Sequence, residues 1–306
     1  MRIIKPGLLT TVQDLGRWGH QASGVPVAGP MDPYAHRLAN LLVGNPENAA
    51  TLELTLIGPE LVFEQAATFA LTGADLGPRL DGRRLPTNTV CQAEAGAVLA
   101  FGGPRRGARS YLAIAGGLQV PAVFGSRATH LISAMGGLSG RALRAGDRLQ
   151  SGPVTGRVPR QGWRLPPIVP LPEGGAVLRV RPGPQAEYFT DEALRTLESA
   201  RFTISTRSDR MGYRLDGPPL THARGADIIS DATPLGVLQV PASGQPILLM
   251  ADRQTTGGYP KIATVITADL ALAGQLAPGD WIGFRVCTLR EALRALIEQE
   301  RPFVQS

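Results

Sequence analysis

Thr51-Leu-Glu-Leu-Thr-Leu-Ile57 alternates between polar and apolar residues and stops at Gly58-Pro59. A period of two places Leu52, Leu54 and Leu56 on one face, and Gly-Pro cannot continue the ladder, so the segment reads as a strand closed by a turn. Similar short runs follow on both sides. They cover residues 67–72, 97–101, 110–115, 177–181, 201–206, 236–240, 247–251, 263–267 and 281–287. The 37 glycines and 26 prolines are scattered between these runs without a fixed period, which excludes collagen and supplies the turns of a barrel or sandwich. The expected fold is mainly β with a few short helices.

Helix signals are sparse. Asp32-Pro33 reads as an N-cap followed by an N1 proline, opening a helix over 34–43 with Gly44 beyond its end. Leu38, Leu41 and Leu42 form its expected buried stripe. Thr190-Asp-Glu-Ala193 opens a second helix with acids in the first turn. Thr288-Leu-Arg-Glu291 is a capping box for a third, whose apolar series is Leu289, Ala292, Leu293 and Leu296. Residues 157–173 carry Pro159, Pro166, Pro167, Pro170 and Pro172 among arginines and cannot form a central strand. They predict a linker between a unit over 1–156 and a unit over 174–306. Val25-Pro-Val-Ala-Gly29 and Val240-Pro-Ala-Ser-Gly244 give a faint echo between the two.

Hydrophobic residues at 43% and charged residues at 18% place the 306-residue chain among globular proteins. Its net charge of +6 rests on arginine, since Lys5 and Lys261 are the only lysines. The arginines are dispersed and aromatics make up 5%, which argues against a nucleic-acid stacking platform. Cys91, Cys287, His20, His36, His130 and His222 show no ligand spacing, so no metal site is expected. Met1-Arg-Ile-Ile-Lys-Pro-Gly7 has no apolar signal core, and no run approaches the roughly 20 apolar residues of a membrane span. The expectation is a cytoplasmic protein with reduced thiols.

Phosphate loops, zinc-protease helices and nucleophile elbows are absent from the sequence. Gly102-Gly-Pro-Arg-Arg-Gly107 reads as a basic hairpin turn, with phosphate contact as the alternative. Two segments are richer. In Gln13-Asp14-Leu-Gly16-Arg17-Trp-Gly19-His20, polar side chains sit among glycines, and Asp14 and Arg17 are placed to orient one another. A turn with a surface ion pair fits the same residues. In Asp252-Arg-Gln-Thr-Thr-Gly-Gly-Tyr-Pro-Lys261, Gln254 donates and accepts, Thr255 and Thr256 carry hydroxyls, and Gly257-Gly258 offer backbone N–H groups. Tyr259 and Lys261 add a phenol and a cation. The inventory suits an anionic or carboxamide ligand, and the residues alone fit a binding loop and a decorated turn equally.

Gln13-Asp-Leu-Gly-Arg17, residues 32–45, Ser208-Asp-Arg-Met-Gly212 and Gln254-Thr-Thr-Gly-Gly-Tyr-Pro-Lys261 resemble the successive motifs of one family. It is the allophanate hydrolase subunit 2 or KipA family, also named biotin-dependent carboxyltransferase and the C subunit of 5-oxoprolinase. Residues 112–117, 125–127 and 146–147 fit as well, so the resemblance runs from about residue 3 to 287. His20 and Pro30 depart from the pattern, where an aromatic and an alanine are expected. The resemblance implies two cyclophilin-like β-barrel units. It also implies a subunit of an ATP-dependent 5-oxoprolinase, an amide hydrolase opening 5-oxo-L-proline to L-glutamate and inactive without its partners. Those partners are a subunit-1/KipI-like protein and a LamB/YcsF-like protein. On this reading Asp14, Arg17, Asp32, Asp252 and Lys261 are the expected catalytic groups. Gln13, His20, Arg210, Gln239, Gln254, Thr255, Thr256, Gly257, Gly258 and Tyr259 would bind substrate or nucleotide. ATP, with Mg2+, would occupy a site that is non-standard or shared with a partner. The alternatives are a carboxyltransferase component using carboxybiotin on urea or a related amide, and a non-catalytic KipA-type regulator of a KipI-like protein.

Overall fold

The computed structural model describes residues 1–154 and 156–304. The chain is mainly β and divides into two compact units. One comprises Met1–Arg17, Ala28–Leu171 and Pro302–Ser306, and the other Trp18–Val27 and Pro172–Arg301.

In the first unit the strands form two five-stranded antiparallel sheets and a small ribbon of Leu118–Gln119 with Gln150–Ser151. One sheet runs, in spatial order, through Arg2–Lys5, Glu60–Val62, Val98–Phe101, Pro78–Leu80 and Arg83–Arg84. The other runs through Leu9–Gln13, Thr51–Thr55, Arg106–Ile114, Ala67–Asp75 and Thr89–Ala93. Ile3, Leu61 and Leu99 from the first meet Val12, Leu52, Leu54, Phe69, Leu71 and Leu112 from the second in one buried core. Burying a Leu or Phe side chain of this kind contributes about 1.5–3 kcal/mol.

The alternation that identified Thr51–Thr55 as a strand does not separate core from solvent. Leu52 and Leu54 enter the core, but Thr51 and Glu53 are buried too. Helix α1, Pro33–Leu42, lies over that second face: its His36 Nδ1 is 2.9 Å from Thr51 Oγ1. Glu53 accepts from the Tyr111 hydroxyl at 2.7 Å and from Met31 N–H at 2.8 Å. The polar residues of the pattern therefore serve a helix–sheet interface. Within α1, Leu38 and Leu42 are buried, and Leu41 is only partly covered.

Residues 157–173 run along the edge of the first unit. Gly162 N–H donates to Val90 O at 2.9 Å, Val90 N–H to Trp163 O at 2.8 Å, and Ile168 N–H to the Tyr34 hydroxyl at 3.1 Å.

The second unit is a closed seven-stranded barrel in the order Gly175–Pro182, Lys261–Val265, Val237–Gln239, Ile247–Leu249, Gly212–Asp216, Arg201–Ile204 and Trp281–Val286. Parallel pairing from Gly175↔Trp281 to Val180↔Val286 joins the last strand to the first, which removes the open edges. Leu178, Phe202, Tyr213, Leu238, Leu248, Ile262 and Phe284 are among its buried side chains.

Helix α2, Asp191–Ser199, starts at Thr190, whose hydroxyl accepts from Ala193 N–H at 3.1 Å. Helix α3, Thr267–Gly274, carries no sequence start signal: its N-cap is Ile266, without a side-chain bond, and its apolar residues run all round. Helix α4, Leu289–Val304, begins with the capping box, Thr288 Oγ1 accepting from Glu291 N–H and the Glu291 carboxylate from Thr288 N–H. Its expected apolar stripe is half right: Ala292 packs against the buried cluster around Ala268 and Ala295, and Leu296 is partly covered. Leu289 is 61% exposed and Leu293 51%, whereas Ala295 and Gln299 are buried and Gln299 Nε2 donates to Ala268 O at 2.9 Å. Among the described residues no helix is long and apolar enough to cross a membrane.

Candidate functional site

In the second unit the loop after Ile247–Leu249 continues the ladder: Met250 N–H donates to Met211 O and Asp252 N–H to Arg210 O, each at 2.8 Å. This register sets Arg210 against Asp252. Nε and Nη2 of the guanidinium donate to the two carboxylate oxygens at 3.0 Å each, with both side chains buried. A forked pair of this kind fixes orientation. It clamps the 208–212 turn to the start of the loop and leaves Asp252 charge-compensated.

The loop then returns as a two-stranded ribbon, Asp231–Ala232 pairing with Thr256–Gly257. Thr233 N–H donates to Thr255 O at 3.1 Å, Thr233 Oγ1 donates to Gln254 O, and Ile228 N–H donates to Gly258 O at 2.8 Å. Thr255 and Gly258 thus contribute backbone to the ribbon. Gly257 is needed for closeness, because a Cβ there would stand 2.6 Å from Gln239 Nε2. Gln239 is buried, accepts from Gln254 Nε2 at 3.2 Å and donates to Tyr259 O at 3.4 Å. The Tyr259 side chain is 41% exposed.

Lys261 opens the barrel strand opposite Gln239 and is 1% exposed. Its Nζ donates to Asp231 Oδ2 at 2.7 Å, and its N–H donates to Gln185 Oε1 at 3.2 Å. That ion pair lowers the Asp231 carboxyl below its ordinary value, helped by the Ala232 N–H. An ammonium has three N–H donors. Asp231 is the only partner of this one among the described residues, so two donors stand without an acceptor.

A cleft of about 290 Å³ adjoins the ribbon. Trp18, Gln21, Val27, Pro234, Arg253 and Gln254 line it, all within the second unit. Arg253 is 7% exposed, and its Nε donates to Thr233 O at 2.8 Å. Burial brings its guanidinium down to about 10, against the opposing influence of Asp252. His20 belongs to the same unit, half-buried at the head of the short turn Gln21–Ser23.

Gln13, Asp14, Arg17 and Asp32 belong to the first unit. Asp14 and Arg17 do not orient one another. The Asp14 carboxylate accepts from Gly16 N–H at 2.9 Å, from the Ser126 hydroxyl at 2.5 Å and from Arg127 N–H, while the Arg17 guanidinium donates to the carbonyls of Ala128 and Val123. Both hold residues 123–128 against the turn. Asp32 caps α1, accepting from Ala35 N–H at 2.8 Å. Gln13 Nε2 donates to Thr11 Oγ1 at 3.0 Å and Thr129 O at 3.1 Å, and its buried Oε1 has no partner among the described residues. The basic run at 102–107 closes a turn: Gly102 and Gly103 N–H donate to Leu76 O and Arg105 N–H to Asp75 O, so these groups do not cradle phosphate.

Sequence reasoning missed Asp231, Thr233 and Arg253. Asp231 meets Lys261 across thirty positions, with no local pattern to mark it. Arg253 carries no sequence signal of its own: its neighbour Asp252 pairs with Arg210, and its partner Thr233 lies twenty positions away.

The carboxyltransferase domain, subdomain A and B, matches residues 23–286. The chain is 43% identical over 305 residues to the C subunit of 5-oxoprolinase from Escherichia coli strain K12, covering 100% of this chain and 97% of that protein. The Haemophilus influenzae protein of the same name is 39% identical over 284 residues, 93% and 90% of the respective chains. Among solved structures, Kluyveromyces lactis urea amidolyase superposes with a TM-score of 0.89 at 31% identity over 98% of this chain. This chain spans 19% of that longer protein, and 28% of the K. lactis urea carboxylase, which superposes at 0.90. The chain belongs to the carboxyltransferase-domain family, subdomain A and B.

Proposed function

We propose that the chain is a subunit of an ATP-dependent 5-oxoprolinase complex that opens 5-oxo-L-proline to L-glutamate. The full-length identity to the C subunit of the E. coli 5-oxoprolinase carries this reading. The chemistry around Lys261 supports it. A lactam presents a carbonyl oxygen and an N–H. Two unused donors on a buried ammonium match the oxygen, and the Gln254 carboxamide, oriented by Gln239, matches the N–H. Charge developing on that oxygen would be stabilised by the Lys261 ammonium, which is 1% exposed. The Arg210–Asp252 fork keeps the loop in place, and Asp231 keeps the Lys261 ammonium in position.

An unstrained lactam resists hydrolysis, and phosphorylation of its oxygen by ATP would make the ring carbon open to water. Backbone N–H groups free for a phosphate cradle are not found at 102–107. On this reading the nucleotide occupies a site completed by partners, namely a subunit-1/KipI-like protein and a LamB/YcsF-like protein. Reconstitution of the complex and measurement of glutamate from 5-oxoproline and ATP tests the proposal. Stoichiometric release supports it. An assembled complex that releases none, yet carboxylates urea from carboxybiotin, overturns it in favour of carboxyl transfer.

A further inference from the structure

Charges in the second unit nearly cancel around the loop. Arg210 is matched by Asp252 and Lys261 by Asp231. Arg253 is left over. It takes part in no ion pair among the described residues, and its one hydrogen-bond partner, Thr233 O, uses Nε alone. The two Nη groups of a side chain more than nine-tenths buried thus remain without acceptors at the wall of a cleft. A guanidinium presents parallel N–H donors matched to two oxygens of one anion. Gln254 and Thr255 add neutral hydrogen-bonding groups beside it, and Trp18 and Val27 supply apolar wall.

We propose that Arg253 anchors a small oxyanion in this cleft, one oxygen pair of a carboxylate or phosphate seating on its Nη groups. Desolvation that makes the free guanidinium easier to deprotonate is what a bound anion would relieve. On the function proposed above, the oxyanion is the carboxylate of 5-oxoproline, and Arg253 selects carboxylate-bearing lactams. That identification rests on the proposed function, whereas oxyanion binding itself does not.

The test uses the full chain and, separately, the reconstituted complex. Calorimetric titrations of the full chain use 5-oxoproline, its neutral carboxamide analogue, inorganic phosphate and ATP. Trp18 fluorescence follows the same titrations, with Trp18→Phe as the control for the signal. Saturable binding of 5-oxoproline but not of its carboxamide, weakened at least tenfold in Arg253→Gln and less in Arg253→Lys, supports the carboxylate assignment. Binding of phosphate or ATP alone, with the same dependence on Arg253, supports the oxyanion site and assigns it to the nucleotide. Melting curves confirm that both variants fold, and Arg253→Lys retains the charge should Arg253→Gln be unstable. Absence of saturable binding by any of the four ligands, or equal binding by wild type and both variants, overturns the inference. In the complex, Arg253→Gln should raise KM at least tenfold with kcat little changed. Turnover with an unchanged KM refutes the role of Arg253 and leaves the 5-oxoprolinase reading standing. Arg253-dependent binding in a complex without turnover does the reverse.

Discussion

Asp252→Asn tests whether the Arg210–Asp252 fork holds the loop to the barrel. The substitution keeps the volume and removes the negative charge. At the fork, one amide oxygen would replace the two carboxylate oxygens that Arg210 meets at 3.0 Å, in a setting where both side chains are almost wholly out of water. Breaking a buried pair by changing one partner costs about 3–5 kcal/mol. Asp252 also opposes the desolvation of Arg253, so its loss adds in the same direction. For a unit of this size, each kcal/mol moves the melting temperature by about 2–4 °C, which predicts a fall of roughly 6–20 °C. The double replacement Arg210→Met with Asp252→Leu removes both charges and should recover most of the loss. Thermal and urea unfolding of the three variants supplies the measurement. A loss below about 1 kcal/mol in Asp252→Asn, or a double variant less stable than the single, would show that the fork does not hold the loop.

Asp32→Ala removes the cap of α1 and should cost about 0.5–2 kcal/mol in urea unfolding, with Asp32→Ser recovering most of it. Gly257→Ala places a Cβ 2.6 Å from Gln239 Nε2, so turnover by the complex should fall while the melting temperature moves little. His36 is buried and neutral, its pKa lowered to about 4 by desolvation from an ordinary 6.5. The unfolded chain then binds the extra proton, so this contribution is complete above pH 6.5 and fades as pH falls toward 4. It reaches roughly 3 kcal/mol, and His36→Gln should flatten the pH dependence of unfolding across that window. Leu293→Ser and Ile297→Ser on the exposed face of α4 should leave stability within about 0.5 kcal/mol.

Short strands, turns and capped helices were legible because their causes are local. Asp32-Pro33, Thr190 and the Thr288–Glu291 box all cap the helices they announced. Helix α3 was missed because it has no side-chain cap and no polar face, so neither a start signal nor a period marks it. Leu289 and Leu293 were misplaced on the covered face of α4 because periodicity locates an apolar face without saying what covers it. The strand Leu9–Gln13 was hidden inside a motif whose polar residues are buried against residues 123–129. At the site, the loop 252–261 could be read from its residue types. The partners that decide its chemistry lie far away in sequence: Arg210 for Asp252, Asp231 for Lys261 and Gln239 for Gln254. Only the closed barrel sets them side by side.

Whether the Lys261 ammonium stabilises the developing oxyanion is tested by Lys261→Met, which keeps the bulk of the side chain and removes the donors. Glutamate release from 5-oxoproline and ATP is measured for the reconstituted complex beside the melting temperature of the variant. A fall in kcat of about 10²–10³-fold with the fold retained is expected, the loss typical of one oxyanion donor. Turnover at the wild-type rate by a folded Lys261→Met complex would contradict that role.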